Sequence, residues 1–585
     1  MPPTTIIEEA TPESSGKVDY ADGAAAALLQ GRAAELSSPA QHGWDTVKHN
    51  TSRTVYRKEL DGQVVYLKHY HSQSLTHRIA RRLGFSDARC EMRFAQHLRA
   101  AGVPTAQPLA VMCSNGTEWL AMRGITPAEP LDAWHQRQVD AGPQGLRKIQ
   151  QATRSLGRIV GRMHATGVVH KDLHSGNILV RATGHSDELL VMDLHRAAKR
   201  SRLSRRARAA NLAQLFHDRL DFTSRTERLR FLKHYLASHD AGGTLRGWQL
   251  LVEHHARRYT RKLHAQRDRR IGGNNRYFTR LGFNRGWRGN AILASKRRMA
   301  GSAAAQLEFT AEQWRKALAQ PESLTEGDGV EVIKKSPSGL VVRRKLAVGP
   351  HLLDVYIKRP RRKRAWKWLA DCFRSSRPLR GFRLGHALLT RRIATALPLA
   401  AVERRIGPLL LDSVLITEAV EQPRLREFLD TWLAQPTRGK PPLEFAQQRH
   451  LAQQVLWQMG RLLQRLHDNS FAHRDLKANN MLVRWLPGHS PEIVLLDLDG
   501  LMPRWHLSAR QKFQGLMRLN VSLLECPVVN HAGRLRMLMG YLRRPGCGRI
   551  NFKPYWHLLA RWSSRKLRQQ IRSRRRRQRA ARRPG

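Results

Sequence analysis

The sequence predicts an α+β protein of two tandem bilobal domains, each a small β-rich N-terminal lobe followed by a mainly helical C-terminal lobe. Three observations carry that expectation. First, GRIVGRMHATGVVHKDLHSGNILV, beginning at Gly157, aligns without a gap with GRLLQRLHDNSFAHRDLKANNMLV, beginning at Gly460. His164, His170, Asp172 and Asn177 thereby match His467, His473, Asp475 and Asn480. Second, the flanking segments repeat in the same order. VVYLKHY and DVYIKRP match Lys68 with Lys358, LLVMDLHRA and IVLLDLDGL match Asp193 with Asp497, and RLRFLKHY at Arg228 returns as RLRMLMGY at Arg534. Third, within each copy a strand-like alternation gives way to helix-like spacing.

The elements follow in order. Residues 1–40 are low in complexity and are expected to be disordered, which places the first domain at 41–300. TVYRKEL-DG-QVVYLKHY alternates around Asp61-Gly62, a hairpin signal. DARCEMRFAQHLRAAG reads as the next helix, and Leu156, Ile159, Val160 and Met163 mark a second helix leading into the repeated HxD segment. NILV and LLVMDL read as short strands flanking a turn. GSAAAQLEFTAEQWRKALAQ marks the junction, so a linker is placed at 301–324 and the second domain at 325–563. There LVVRRKLAV-GP-HLLDVYIKR is the looser hairpin and RGFRLGHALLTRRI the helix. The tail, 564–585, is about half Arg and Lys, self-repels and is expected to be disordered.

Composition bounds the function. At about 150 residues per domain, 585 residues suggest about four ordinary domains or two large ones. Lys plus Arg is 103 against 46 for Asp plus Glu, a formal charge of +57, which predicts polyanionic partners: nucleic acid, anionic lipid or a phosphorylated substrate. No apolar run approaches the ~18–20 residues of a membrane span, and MPPTTIIEEATPESS has no secretory-signal pattern. The five cysteines are scattered and form no CxxC, which argues against a disulfide framework and for a reducing compartment.

Phosphoryl transfer from ATP needs a lysine on the phosphates, a glutamate to hold it, an aspartate beside the acceptor hydroxyl and an Asn/Asp pair on magnesium. The first half has Lys68, Glu91, Asp172, Asn177 and Asp193 in that order; the second has Lys358, Asp475, Asn480 and Asp497. Taken singly, each has an ordinary reading as a solvated charge or a strand-end residue. The ordered set, present twice, resembles the protein-kinase-like superfamily. His170 and His473 then serve to fix the loop backbone rather than to catalyse. Two features depart from that pattern: no G-x-G-x-x-G loop occurs in KHNTSRT or KKSPSGL, and no A-P-E follows Asp193 or Asp497. The second departure favours a small-molecule, glycan or lipid acceptor over a peptide.

G-x-P-x-A/P-x-P-L-A, H-x-D-L-H-x-x-N-I-L-V, L-x-D-L-H/D and R-L-R-x-L-x-x-Y resemble the bacterial lipopolysaccharide kinases, over about 40–300 and again 325–560. That resemblance implies ATP, Mg2+ and a Kdo or heptose hydroxyl of a lipopolysaccharide-type glycan at the cytoplasmic face of the inner membrane. Asp172 and Asp475 would be the catalytic residues; Lys68, Glu91 and Lys358 would bind nucleotide; Asn177, Asp193, Asn480 and Asp497 would hold metal. The anionic bilayer is the expected peripheral surface, with nucleic acid left to the basic tail.

The halves differ at one place. The position matching Glu91 is Gly381, so Lys358 lacks its usual partner. The second half is then an active kinase with another anchor, a weakened kinase or a binding domain, and the intact Asp475, Asn480 and Asp497 favour activity. Two other functions stay open: a protein Ser/Thr kinase, against which the missing A-P-E counts, and a basic pseudokinase scaffold for nucleic acid or membrane.

Overall fold

The computed structural model describes residues 17–49, 53–71, 86–114, 117–183, 187–217, 223–238, 242–295, 308–361, 374–432, 445–486, 490–526, 528–543 and 550–581. They form two compact units, Met1–Arg261 and Lys262–Gly585.

In the first unit, β1 (Lys17–Tyr20), β2 (Asp45–His49), β3 (Arg53–Leu60), β4 (Gln63–Tyr70), β5 (Pro108–Ser114) and β6 (Thr117–Arg123) make one sheet in the order β1-β5-β6-β4-β3-β2. The Asp61-Gly62 turn joins β3 to β4. Both residues have positive φ, 48° and 73°, which an Asp-Gly pair tolerates in a tight hairpin. That turn fixes the register, setting Val55 opposite Lys68 and Arg53 opposite Tyr70. Short helices α1 (Gly23–Leu29) and α2 (Ala33–Ser37) precede β2. Helix α3 (Asp87–Ala100), capped by the Ser86 hydroxyl accepting from the Arg89 N–H, buries Ala88, Glu91, Met92, Ala95 and Leu98 on one face.

The rest of the unit holds β7 (Ala128–Pro130), α4 (Leu131–Asp140), α5 (Gly142–Ala165), β8 (Val168–His170), β9 (Ile178–Ala182), β10 (Asp187–Val191), β11 (Ala197–Lys199), α6 (Arg205–Phe216), α7 (Arg225–Leu236) and, up to Arg261, most of α8 (Leu245–Arg270). Helix α5 turns Ile149, Leu156, Ile159, Val160 and Met163 into the core, the face its apolar spacing predicts. Gly157 lets α5 approach α7: a Cβ there would sit 2.6 Å from the Phe231 carbonyl oxygen.

The second unit is also built of a sheet and helices. Strands β12 (Phe278–Gly282), β13 (Trp287–Ile292), β14 (Glu331–Ser336), β15 (Gly339–Val348), β16 (His351–Pro360), β17 (Pro398–Ile406) and β18 (Leu409–Glu418) form a sheet ordered β12-β13-β17-β18-β16-β15-β14. Helices α9 (Ala311–Ala317) and α10 (Arg377–Thr390) accompany it. Below come α11 (Leu425–Trp432), α12 (Phe445–Asp468), β19 (Phe471–His473), β20 (Met481–Arg484), β21 (Glu492–Leu495), β22 (Leu501–Pro503), α13 (Ala509–Leu524), α14 (His531–Leu542) and α15 (Lys553–Ala581). Gly460 of α12 does what Gly157 does: a Cβ would meet the Met537 carbonyl oxygen at 2.1 Å.

Four segments differ from the sequence expectation. Residues 17–40, expected to be disordered, carry β1, α1 and α2, and they bury Tyr20, Leu28, Leu29 and Leu36 with Trp44. Residues 278–292, placed in the first domain, form β12 and β13 of the second unit's sheet, with β13 pairing with β17. The adjoining 308–324, taken as linker, carries α9, whose fully buried Trp314 donates its indole N–H to the Ile292 carbonyl at 2.7 Å. The tail expected to be disordered continues α15. Its first turns pack Leu559, Trp556 and Trp562 on the core, and Arg, Lys, Gln and Ala are strong helix formers with no Gly or Pro among residues 564–581 to stop the helix. Residues 1–16, 301–307 and 582–585 of those expectations lie outside the described residues.

Candidate active site

Strand alternation puts Lys68 and Tyr70 on the same side of β4, and both reach Glu91 of α3. The Lys68 ammonium donates to Glu91 Oε1 at 2.6 Å, and the Tyr70 hydroxyl donates to Oε2. Glu91 is fully buried, so this pairing compensates its charge. The Leu194 backbone N–H also donates to Glu91 Oε1, at 3.2 Å, which ties α3 to the segment carrying Asp193. Burial, joined by the Glu91 charge, pushes the Tyr70 phenol well above its usual range, so it stays a donor.

Asp193 sits in the left-handed region, φ 66° and ψ 56°, a conformation that an Asp adopts under constraint and that clusters at functional sites. The Arg53 guanidinium grips its carboxylate with two parallel bonds, Nη1–Oδ1 at 2.6 Å and Nη2–Oδ2 at 2.8 Å. His195 Nδ1 lies 2.7 Å from Oδ1 and Lys68 Nζ 4.0 Å from it. Burial alone would raise this carboxyl; the bonds from Arg53 and His195 and the charges of Lys68 and Arg53 outweigh it and hold Asp193 well below the carboxylate range.

The loop from His170 to Asn177 is fixed from both ends. His170 Nδ1 accepts the Asp172 N–H at 3.1 Å, so its Nε2–H donates to the Met192 carbonyl, 2.9 Å away. Burial lowers the His170 pKa despite that carbonyl, consistent with a neutral, structural ring. The Asn177 side-chain NH2 donates to the Asp172 backbone carbonyl at 2.9 Å, and the Asn177 backbone carbonyl accepts the Met192 N–H at 2.8 Å. Asp172, Asn177 and Asp193 are thus locked into one constellation, with the Asp172 carboxylate part-exposed at its mouth and His174 Nε2 3.8 Å away. A second polar pair anchors the loop from below: His164 lies 2.8 Å from the Tyr235 hydroxyl and 3.0 Å from Asn211 Oδ1.

The oxygen donors present suit a hard divalent cation: the Asp193 carboxylate and the Asn177 amide oxygen. Glu91, Asp193 and His195 also bring ligand atoms within 4.8 Å of one another. Glu91 is a poor ligand there, because Lys68, Tyr70 and the Leu194 N–H already engage its oxygens.

The second unit reproduces the loop. His473 Nδ1 accepts the Asp475 N–H at 3.2 Å, its Nε2 lies 2.7 Å from the Asp497 carbonyl, and the Asn480 amide donates to the Asp475 carbonyl at 3.0 Å. The upper part differs. Gly381 occupies the Glu91 place in α10, with Leu415 3.1 Å from where a Cβ would stand. Lys358 instead reaches Asp499 at 2.8 Å and Asp497 at 3.4 Å. Burial opposes its charge, but those two carboxylates raise its pKa. Asp497 is extended, φ −89°, not left-handed like Asp193. Lys477, in the place of His174, pairs with Asp475 at 2.7 Å.

Hydrogen bonds and ion pairs thus join Lys68, Glu91, Asp172, Asn177 and Asp193 in the first unit, and Lys358, Asp475, Asn480 and Asp497 in the second. Arg53, Tyr70, His195, Asp499 and Lys477 were missed. The Asp61-Gly62 turn held the signal for Arg53 and Tyr70, because it fixes which residues face each other across the hairpin.

The model of the lipopolysaccharide kinase (Kdo/WaaP) family matches residues 41–235 and 342–541, together well over half of the chain. The chain belongs to this family. It is 28% identical over 204 residues to the lipopolysaccharide core heptose(I) kinase WaaP of Pseudomonas aeruginosa, covering 31% of this chain and 73% of that protein. It is 27% identical over 152 residues to a 3-deoxy-D-manno-octulosonic acid kinase of Actinobacillus succinogenes, covering 24% of this chain and 61% of that protein. A solved structure described as WaaP in complex with acyl carrier protein aligns at TM-score 0.32 and 23% identity, over 41% of this chain and 98% of that one. As a member of the Kdo/WaaP family the chain is a phosphotransferase, and the family implies ATP as donor. Among the described residues no helix is long and apolar enough to cross a membrane.

Proposed function

We propose that the two units are two copies of one kinase-like bilobal domain. Together they make a kinase that transfers the terminal phosphoryl group of ATP to a sugar hydroxyl of a lipopolysaccharide-core glycan at the cytoplasmic membrane face. The observation that carries this reading is the coupling of Lys68–Glu91 to Asp193 through Leu194, and of Asp193 to Asp172 and Asn177 through Met192. Asp172 accepts the acceptor hydroxyl's proton as its oxygen bonds to phosphorus and the bond to the departing ADP oxygen breaks. Lys68, oriented by Glu91, holds phosphate oxygens. Asn177 and Asp193 hold Mg2+, which neutralises charge on the phosphates. Asp475, Asn480, Asp497 and Lys358 have the same duties in the second unit, without a helix glutamate. The net charge of +57 supports an anionic glycolipid and bilayer as the surroundings.

Labelled ATP, purified lipopolysaccharide core acceptor and the Asp172→Asn/Asp475→Asn double variant test the reading: label should reach the glycolipid with the wild type and not with the double variant. Label on protein bands instead would favour a protein kinase. Absent turnover with salt-sensitive nucleic-acid binding would favour a scaffold.

A further inference from the structure

Arg53 opens β3, directly after Asn50-Thr51-Ser52, where the sequence lacks the glycines of a phosphate-cradling loop. Its register partner is Tyr70, and directly opposed residues of antiparallel strands share a face. Arg53, Tyr70 and Lys68 therefore converge from one side of the sheet on the Glu91–Asp193 pair. Arg53 engages both Asp193 oxygens, at 2.6 and 2.8 Å, and His195 stands against one of them. These are the oxygens that a metal ion would need. A buried carboxylate without a cation is strongly unfavourable, so the cleft without nucleotide requires a group like Arg53, and the cleft with metal requires it to leave. The guanidinium fork fits carboxylate and phosphate oxygens alike.

We propose that Arg53 is the phosphate-binding residue that replaces the missing glycine loop: it neutralises Asp193 until nucleotide enters, then yields that carboxylate to the metal and turns to the phosphate oxygens. The second unit lacks the device. Gly339 stands at the Arg53 place, opposite Pro360, and Lys358 bridges Asp497 and Asp499 there. The inference rests on the phosphotransfer reading of the same cleft.

The test uses the full chain with Asp497→Asn, so that binding reports the first unit, with Arg53 kept or changed to Ala or Lys. Mn2+ binding without nucleotide is followed by electron paramagnetic resonance, and binding of a fluorescent ATP analogue with Mg2+ by titration. Arg53→Ala should bind Mn2+ about threefold tighter and the analogue about tenfold more weakly, with Arg53→Lys between them because it keeps charge without the fork. Opposite signs are the signature, since a merely damaged cleft weakens both. An unchanged analogue affinity, or weaker Mn2+ binding, overturns the proposal. If Arg53→Ala fails to melt cooperatively, Arg53→Lys decides by the same analogue criterion. A parent protein that binds no analogue overturns the phosphotransfer reading instead.

Discussion

Glu91 gathers donors from two places: Lys68 and Tyr70 from β4, and the backbone beside Asp193. Glu91→Gln keeps its shape and removes its charge, leaving Lys68 buried with Asp193 4.0 Å away. Stability should fall by about 3 kcal/mol in urea titrations, the usual loss when one partner of a buried pair is removed, and phosphoryl transfer should fall by about a hundredfold or more. Transfer within tenfold of wild type would refute the anchoring role. Lys68, Glu91, Asp172, Asn177 and Asp193 were legible in the sequence because their order is itself the signal. Arg53 was not, because an arginine on a strongly basic chain looks like any other. Its difference is the carboxylate opposite it, 140 residues away in sequence.

At the scale of elements, α3 and α10 occupy equivalent places and differ in what they bury. Helix α3 buries Glu91; α10 buries His386, whose Nε2 lies 2.9 Å from the Pro398 carbonyl. Burial pulls the His386 pKa from 6.5 to about 3, and that of His467 on α12 to about 4. The sign follows from proton binding. Below pH 6.5 the unfolded chain takes a proton on each ring while the folded chain does not, so stability is complete above that value and declines as the pH falls toward the folded pKa. Between pH 7 and pH 5 the second unit should lose about 2 kcal/mol for His386 alone. His386→Gln should flatten the change in denaturation midpoint, and an equally steep change in that variant would contradict the assignment. Hairpins, capped helices and the repeated loop were legible from local pattern. The helical tail was not, because charge density suggested repulsion while helix propensity and the packing of buried Leu559 and half-buried Trp556 and Trp562 at the start of the same helix decided the outcome.

Across the whole molecule, the two cation–carboxylate arrangements predict unequal work. Asp172→Asn should reduce transfer about a hundredfold or more. Asp475→Asn should reduce it less than about tenfold, because Lys358 lies against Asp499 and lacks a helix glutamate. Equal losses in initial-rate assays would show that both units act in series. The charge of +57 predicts that binding to anionic vesicles falls as salt rises from about 0.05 to 0.5 M, as screening shortens the reach of each Lys and Arg. Flat salt dependence in a sedimentation assay would remove the lipid surface from the proposal. Domain boundaries were the least legible feature, since a composition shift near Gly301 marked a seam that the backbone pairing of β13 with β17 does not respect. That hairpin bears on anyone dissecting the protein. A cut near residue 300 hands β12 and β13 to the wrong fragment, bares the hydrogen-bonding rim of β17 and takes Ile292 away from the indole of Trp314. A downstream fragment started there should precipitate on expression, whereas one begun ahead of Ile271 carries its own edge protection.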